Sequence, residues 1–495
     1  MSSTLSPITT PSDAAVVSTI GVGSGLDLNG LMTSLQNAES VGLTNINNQQ
    51  ASYTATLTSY GLLSGALSGV QTAAAALGKP SLYTNVSATS SLTGVLTATA
   101  DSTAVSGTYS VNVTQMAQAQ TVATTGVAST TTAIGNGTVT IQFGTTSGGT
   151  LNAATGTYSG ATFTADTTQV AASLTINSSN NTLAGISSAI NANKALGVSA
   201  SIISDGSSSP NRLVLTALAT GQTSSMQISV TGDTALSNLL SNDTSSTQNL
   251  QQTSAAQNAQ LTVNGIAVTS TTNTVAQAMQ GVTMTLAGTG STSVAVQTDT
   301  SGVTTAINNF VTAYNSLHST EASLTAYNST TGAAAGSLIG SSTLSNIESQ
   351  ITSAFNIPQN GGSGSLTTLA QLGVTFQADG TLAVNSTKLA SALSTNLSGV
   401  ASLFSSASGT TGFGSQMSAL ITGFSSTSGL LTDATSSAND SYTALGKQYT
   451  VMQNQINTTM ANYQKQFTNL DVLINKLNST STYLTQQFAP ATTTA

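Results

Sequence analysis

The sequence predicts an α+β protein: a long, coiled-coil-like helical stalk built from both chain ends, with β-rich head lobes inserted between them. Three observations predict it. Apolar residues recur at steps of three and four near each end of the chain. Between about residues 84 and 300 the period falls to two. Gly, Pro and Ser/Thr-rich stretches stand where the period changes.

Residues 1–20 carry two prolines, many hydroxyls and no periodicity, and read as a mobile tail. In the run from Thr19 to Ser40, Gly21, Gly23 and Gly25 loosen the backbone. Asp27 then caps a short helix with Leu28, Leu31, Met32 and Leu35. From Leu43 to Leu77, steps of three and four alternate through Ile46, Gln50, Tyr53, Leu57, Tyr60, Leu63, Leu67, Val70 and Ala74. The step from Tyr60 to Leu63 is one residue short, so the seam carries one stammer. Gly78 and Pro80 stop it.

Beyond Pro80 the alternation becomes that of strands. Tyr109, Val111 and Val113 share one face, as do Val139, Ile141 and Phe143, then Val282, Met284 and Leu286. Asn264-Gly265 within LTVNGIAVTS suits a type I′ turn, which needs two positive φ angles. Leu183, Ile186 and Ile190 mark a short helix, and the polar stretches 144–160 and 241–258 read as loops or lobe boundaries.

Helical spacing returns at about 302 with Val303, Ile307, Phe310, Tyr314 and Leu317, then Leu344, Ile347, Ile351 and Phe355. After QNGGSGS at 359–365 comes a small hairpin around Asp379-Gly380 and one helical stripe from Leu389 to Phe404. The last seam runs from Tyr442 to Phe488 through Leu445, Tyr449, Ile456, Phe467, Leu477 and Leu484. Isolated helices are marginal in water, so both seams need each other or another chain.

Composition removes several classes of function. Seven basic against fifteen acidic residues leave a net charge of −8, and charged residues are 4% of the chain. That is roughly a sixth of the usual share, while Ser and Thr make about a third. Seven scattered cations make no stripe for a nucleic-acid backbone. There is no Cys, and His318 is the single histidine, so thiol catalysis, disulfide frameworks and His-based metal cages are excluded. No Sec-type leader is expected, since the first twenty residues lack Lys and Arg and their longest apolar run is Ala14–Val17. No apolar run reaches the length of a membrane span.

No catalytic constellation emerges. His318, beside Leu317, has no acid pair or nucleophile elbow and reads as structural. GxGxxG fails at Leu26, and no segment has EF-hand spacing. The reading is a non-enzyme without cofactor or metal.

Read together, the two ends carry a resemblance. IGVGSGLDLNGLM at 20–32, NAES at 37–40 and LDVLINKLNSTSTYLTQQFAP at 470–490 resemble the ends of the flagellar filament cap family, FliD or flagellar hook-associated protein 2. SGTYSVNVTQMAQAQTV at 106–122 and LTVNGIAVTSTTNTVAQAMQGVTMTLAG at 261–288 are similar to its β segments. NNFVTAYNSL at 308–317, GSLIGSSTLSNI at 336–347 and LAQLGVTFQADGTLAVNSTKLASAL at 369–393 continue in family order. Residues 126–254 match no cap segment, although 182–206 resemble a motif of flagellin-type outer lobes.

The resemblance implies a leg at 1–40 that serves export and filament binding, and a stalk from 41–83 with 301–488. It further implies an inner β-rich lobe from 84–125 with 255–300, and an outer inserted lobe at 126–254. It implies an extracellular ring of identical subunits on the filament tip that promotes folding and insertion of exported flagellin. Implied partners are flagellin, hook–filament junction proteins, the type III flagellar export apparatus and an export chaperone, with no nucleic acid and no membrane insertion. Leu26, Leu28, Leu31, Leu35, Leu477, Leu484 and Phe488 are the expected filament and self-assembly contacts, and Gly21, Gly23 and Gly25 the expected hinges. Rival readings are a flagellin-like or hook-junction subunit and a secreted adhesin. This chain departs from the family's usual pattern in its charges: Lys79 is the one charged residue from Val41 to Ala100, which reads either as compositional drift or as assembly contacts insensitive to pH and salt.

Overall fold

A computed structural model describes residues 27–328, 333–334, 336–358, 366–405 and 411–488. The chain divides into two compact units, one formed by the segments up to Tyr83 and from Ser301, the other by Thr84–Thr300. In chain order, α1 (Leu28–Leu77) leads into β1 (Val86–Ser90), β2 (Leu96–Ala100), β3 (Gly107–Gln115) and β4 (Thr121–Ala123). Next come β5 (Gly137–Asn152), β6 (Thr157–Ala165), β7 (Ala172–Ile176), α2 (Leu183–Ala192), β8 (Val198–Ser204), β9 (Asn211–Ala217) and β10 (Ser225–Gly232). The β-rich unit closes with α3 (Thr234–Leu240), β11 (Gln251–Ser254), β12 (Ala259–Val263), β13 (Ile266–Ser270), β14 (Thr274–Met279), β15 (Val282–Leu286) and β16 (Gly290–Thr298). The return to helix gives α4 (Ser301–Leu324), a short pairing of β17 (Tyr327–Asn328) with β18 (Ala333–Ala334), and α5 (Ser342–Asn356). Hairpin β19 (Val374–Phe376) and β20 (Leu382–Val384) precedes α6 (Ser386–Thr395), α7 (Leu397–Phe404), α8 (Phe413–Phe424) and α9 (Leu430–Gln487).

The helical unit has a broad core and a thin one. In the broad core, Leu63, Leu67, Val70, Ala74 and Leu77 of α1 are fully buried with Val303, Ile307 and Phe310 of α4 and Met417 and Ile421 of α8. Phe310, Tyr314, Phe355, Phe404 and Phe413 interlock there, with centroids 5.2–6.2 Å apart. Gly414 allows the start of α8 to touch the end of α1, since a Cβ on it would stand 2.6 Å from the Gly78 nitrogen. The Tyr83 hydroxyl donates to the Leu77 carbonyl at 2.7 Å, satisfying one of α1's terminal acceptors.

The β-rich unit holds two separate cores. One lies between the sheet β1-β16-β3-β12-β13 and the sheet β14-β15-β2. The other gathers β5, with β10, β6 and β7 around it, the sheet β11-β4-β9-β8, and helices α2 and α3. Between β12 and β13, Asn264 and Gly265 have φ of 49° and 84°, the pair of positive angles that the turn requires.

Several sequence expectations are corrected. The short helix at Leu28 and the seam from Leu43 are one helix, because Gly42 is tolerated where Met452 packs on it. The stripe from Leu389 to Phe404 is two helices: Asn396, at φ −148° and ψ 54°, leaves helical geometry and caps α7 by accepting from the Gly399 N–H at 3.0 Å. The stretch 144–160 is a paired hairpin of β5 and β6, not a loop; its threonines suit strands, and glycines at positive φ absorb its irregularities. Helix α8, which no apolar stripe announced, completes the broad core.

Candidate functional site

The candidate assembly surface lies on the distal part of the helical unit. Asp27 starts α1, its carboxylate accepting from the Gly30 N–H at 2.8 Å. Gly42 faces Met452 and Gly446 faces Gln50, so α1 and α9 run antiparallel. Between them Leu43 and Ile46 pack with Leu445, Tyr449 and Ile456, and Tyr53, Met452 and Met460 cover the edges. This second core has five buried members. Gln50 is buried in the same seam, and its amide nitrogen has no hydrogen-bond partner among the described residues.

Extending the antiparallel register sets Leu28 opposite about residue 466, so roughly 20 residues of α9, about 30 Å, continue with no α1 beside them. Ile456 is the last buried residue of α9. Past it, Leu470, Leu473, Leu477, Leu484 and Phe488 are all exposed, Phe488 at 81%. Their spacing of three, four, seven and four residues sets them along one face. No ionic contact holds the helix pair: the ion pair among the described residues is Arg212–Asp205, in the β-rich unit.

Of the residues expected at the assembly surface, Leu477, Leu484 and Phe488 present apolar side chains outward, as does Leu31. Leu35 is half-buried, and Leu28 is buried at 3% exposure and therefore not presented. Leu26 and the hinges Gly21, Gly23 and Gly25 lie outside the described residues. Leu470 and Leu473 belong to the exposed face as well, and neither was among the expected contacts.

The ring Nε2 of His318 lies 2.9 Å from the Asp379 carbonyl and closes the β19–β20 turn onto α4. Glu321 is buried, and burial, then the charge of Glu348, pushes its pKa up to about 7; its Oε1 has no partner among the described residues. Burial chiefly pushes Tyr314 up to about 12, with Glu321 and Glu348 adding to it. Among the described residues no group of three or more His, Asp or Glu could hold a metal, and no helix is long and apolar enough to cross a membrane.

Comparison with known proteins converges on one family. The family described as flagellar hook-associated protein 2 N-terminus matches residues 24–120, and its C-terminal counterpart matches 256–479. Flagellar hook-associated protein 2 of Escherichia coli K12 is 39% identical over 96% of this chain and 98% of its own length. The Salmonella typhimurium protein is 35% identical over 96% and 98%. The crystal structure of the D1-D2-D3 domains of the Escherichia coli flagellar cap protein FliD is 37% identical and covers 77% of this chain and 99% of its own, with a TM-score of 0.60. Helices from both ends of the chain, strands inserted between them and these relatives place the chain in the flagellar hook-associated protein 2 family of flagellar cap proteins.

Proposed function

We propose that this chain caps the flagellar filament as a ring of identical subunits and assists folding and insertion of exported flagellin, with no covalent chemistry. The observation that carries this reading is the exposed apolar face of α9 from Leu470 to Phe488, five large apolar side chains along one helix face with no partner among the described residues. A surface of this kind seeks another protein, and in a cap that protein is the filament end or a neighbouring subunit. A closed ring needs heterologous contacts whose rotation closes. The chain reaches the extracellular tip through the flagellar export apparatus, and without cysteine it refolds there with no disulfide to form.

The test is a strain lacking the gene, complemented with the full chain or with a copy lacking residues 470–495. The full chain restores filaments, while the truncated copy leaves hooks that shed monomeric flagellin into the medium. Normal filaments from the truncated copy overturn the role of the α9 face. Because contacts here are apolar and amide-based, retention of the cap on isolated filaments should change less than about twofold between low and high salt.

A further inference from the structure

With so few charges, the chain covers its sheet edges with side-chain amides where lysines commonly stand guard. Asn191 donates to the Ala200 carbonyl at 2.7 Å and accepts from the Ala200 N–H at 2.8 Å, filling the outer edge of β8. Gln248 does the same to Tyr158 on β6, at 2.9 and 2.6 Å. Asn315 does so to Leu382 on β20, at 2.9 and 2.8 Å. Each amide stands where a neighbouring strand would.

The edges of β13 and β14 have no such amide among the described residues, and they share one cleft. β13 is the last strand of the five-stranded sheet and β14 the first of the three-stranded one. A cleft of about 640 Å³ runs between residues 267–271 and 274–278. An apolar hollow of about 220 Å³, walled by Val105, Tyr109, Val263, Ile266 and Met279, opens on the same two strands. The turn at Asn264-Gly265 makes Val263 and Ile266 a hydrogen-bonded pair, so Val268 and Ser270 also face β12. The N–H and C=O groups of Ala267 and Thr269 therefore point away from β12. On β14 the ladder to β15 breaks between Val275 and Met279, leaving Ala276, Gln277 and Ala278 unpaired. Among the described residues these five have no backbone hydrogen bond outside the ladders. Neither strand holds a charge or a proline.

We propose that the β13–β14 cleft takes up an extended, uncharged segment of a polypeptide that has not yet folded, as a strand bonded along both of its edges. A strand inserted there needs both edges free, and every described strand of this chain already has a neighbour, so a folded second copy has none to offer. The apolar hollow on one side and Thr269, Thr274 and Gln277 along the cleft suit side chains that alternate apolar and polar. The assignment rests on the reading of this chain as acting on flagellin before it folds.

Hydrogen exchange of the full chain tests it, with and without a saturating, end-blocked decapeptide of alternating Thr and Val. The peptide should slow exchange about tenfold at Ala267, Thr269 and residues 276–278, and leave Ala200 on the clamped β8 edge unchanged. Thr269→Pro removes an N–H that the β12 ladder does not use, and should abolish this protection with thermal unfolding unaltered. Should that variant misfold, Gln277→Lys, which adds a charge to the cleft, should weaken peptide binding about tenfold. Unchanged exchange with peptide, or wild-type binding by a folded Thr269→Pro or Gln277→Lys chain, overturns the proposal. So does slow exchange without peptide that quickens when residues 1–26 are removed, since the chain then fills its own cleft. Filament rescue by a chain that fails to bind peptide would leave capping intact and remove only the cleft.

Discussion

The two parts of α1 differ in make-up and in surroundings: 28–57 is rich in Asn and Gln, and 60–77 in Ala and Gly. From Tyr60 to Leu77 every third or fourth side chain is buried, most at 0% exposure, under α4, α5, α8 and an aromatic cluster. Among the described residues from Leu28 to Leu57, Leu28, Leu43, Ile46 and Gln50 are the buried ones, and Leu43 and Ile46 pack against α9 alone in the second core. The first half carries the stability of the unit. The second meets a seam that the described residues cover only in part, and beyond it α9 has apolar side chains left exposed among them. The difference separates residues that hold the fold from residues kept for another protein.

The sharpest way to break that comparison is to empty the broad core. Phe310 touches Phe355 and Phe413 at 5.9 and 5.5 Å between centroids, so Phe310→Ala removes a ring around which others are arranged. It should cost about 3–5 kcal/mol, measured by urea unfolding of the full chain. Ile46→Ala, in the thin core, should cost about 2 kcal/mol, because the open sides of a two-helix seam let neighbours and water fill the space. Equal losses at the two sites would mean that the thin pair is as firmly built as the broad core.

How much of this could be read from the residues follows from which interactions are local. The seam from Leu43 to Leu77, the stripe of α4 and the Asn264-Gly265 turn announce themselves by spacing or by positive φ, and the structure has them. The continuity of α1 across Gly42 was not legible, because it depends on Met452, some four hundred residues away in sequence. The break at Asn396 was missed since a capping amide competes with a helical stripe that otherwise runs on. At the assembly surface, Leu477, Leu484 and Phe488 were legible as an apolar seam, but their exposure was not. Whether a seam is covered depends on where α1 begins relative to α9. The amides that clamp β8, β6 and β20 gave no signal, since Asn and Gln are common everywhere in this chain.

Glu321 offers a smaller perturbation, confined to the broad core. Its folded pKa of about 7 lies above the ordinary carboxyl value, so the folded state holds the proton more tightly than the unfolded chain does. Stability is then full below the ordinary value and falls as pH rises through 7. The helical unit should lose about 1–2 kcal/mol between pH 5 and pH 8, a figure reduced for the solvent that still reaches the group. Glu321→Gln should flatten that dependence and be the more stable chain at pH 8. Denaturant midpoints at the two pH values measure it, and an unchanged slope in the variant would assign the pH dependence to other groups.

The smallest effect on folding should come from the largest change to the surface. Leu477, Leu484 and Phe488 are 59%, 47% and 81% exposed, so replacing all three with Ser removes little buried area from the subunit. The helix itself loses some propensity, and the unfolding midpoint of the full chain should shift by no more than about 0.5 kcal/mol. Retention on filament ends, by contrast, should fall by at least about tenfold, because each of these side chains is worth about 1.5–3 kcal/mol when a partner buries it. A marked loss of stability would mean that the α9 face is sheltered within the subunit. Full retention would mean that the partner binds elsewhere. Only the combination of an unmoved midpoint and a lost cap assigns this face to assembly.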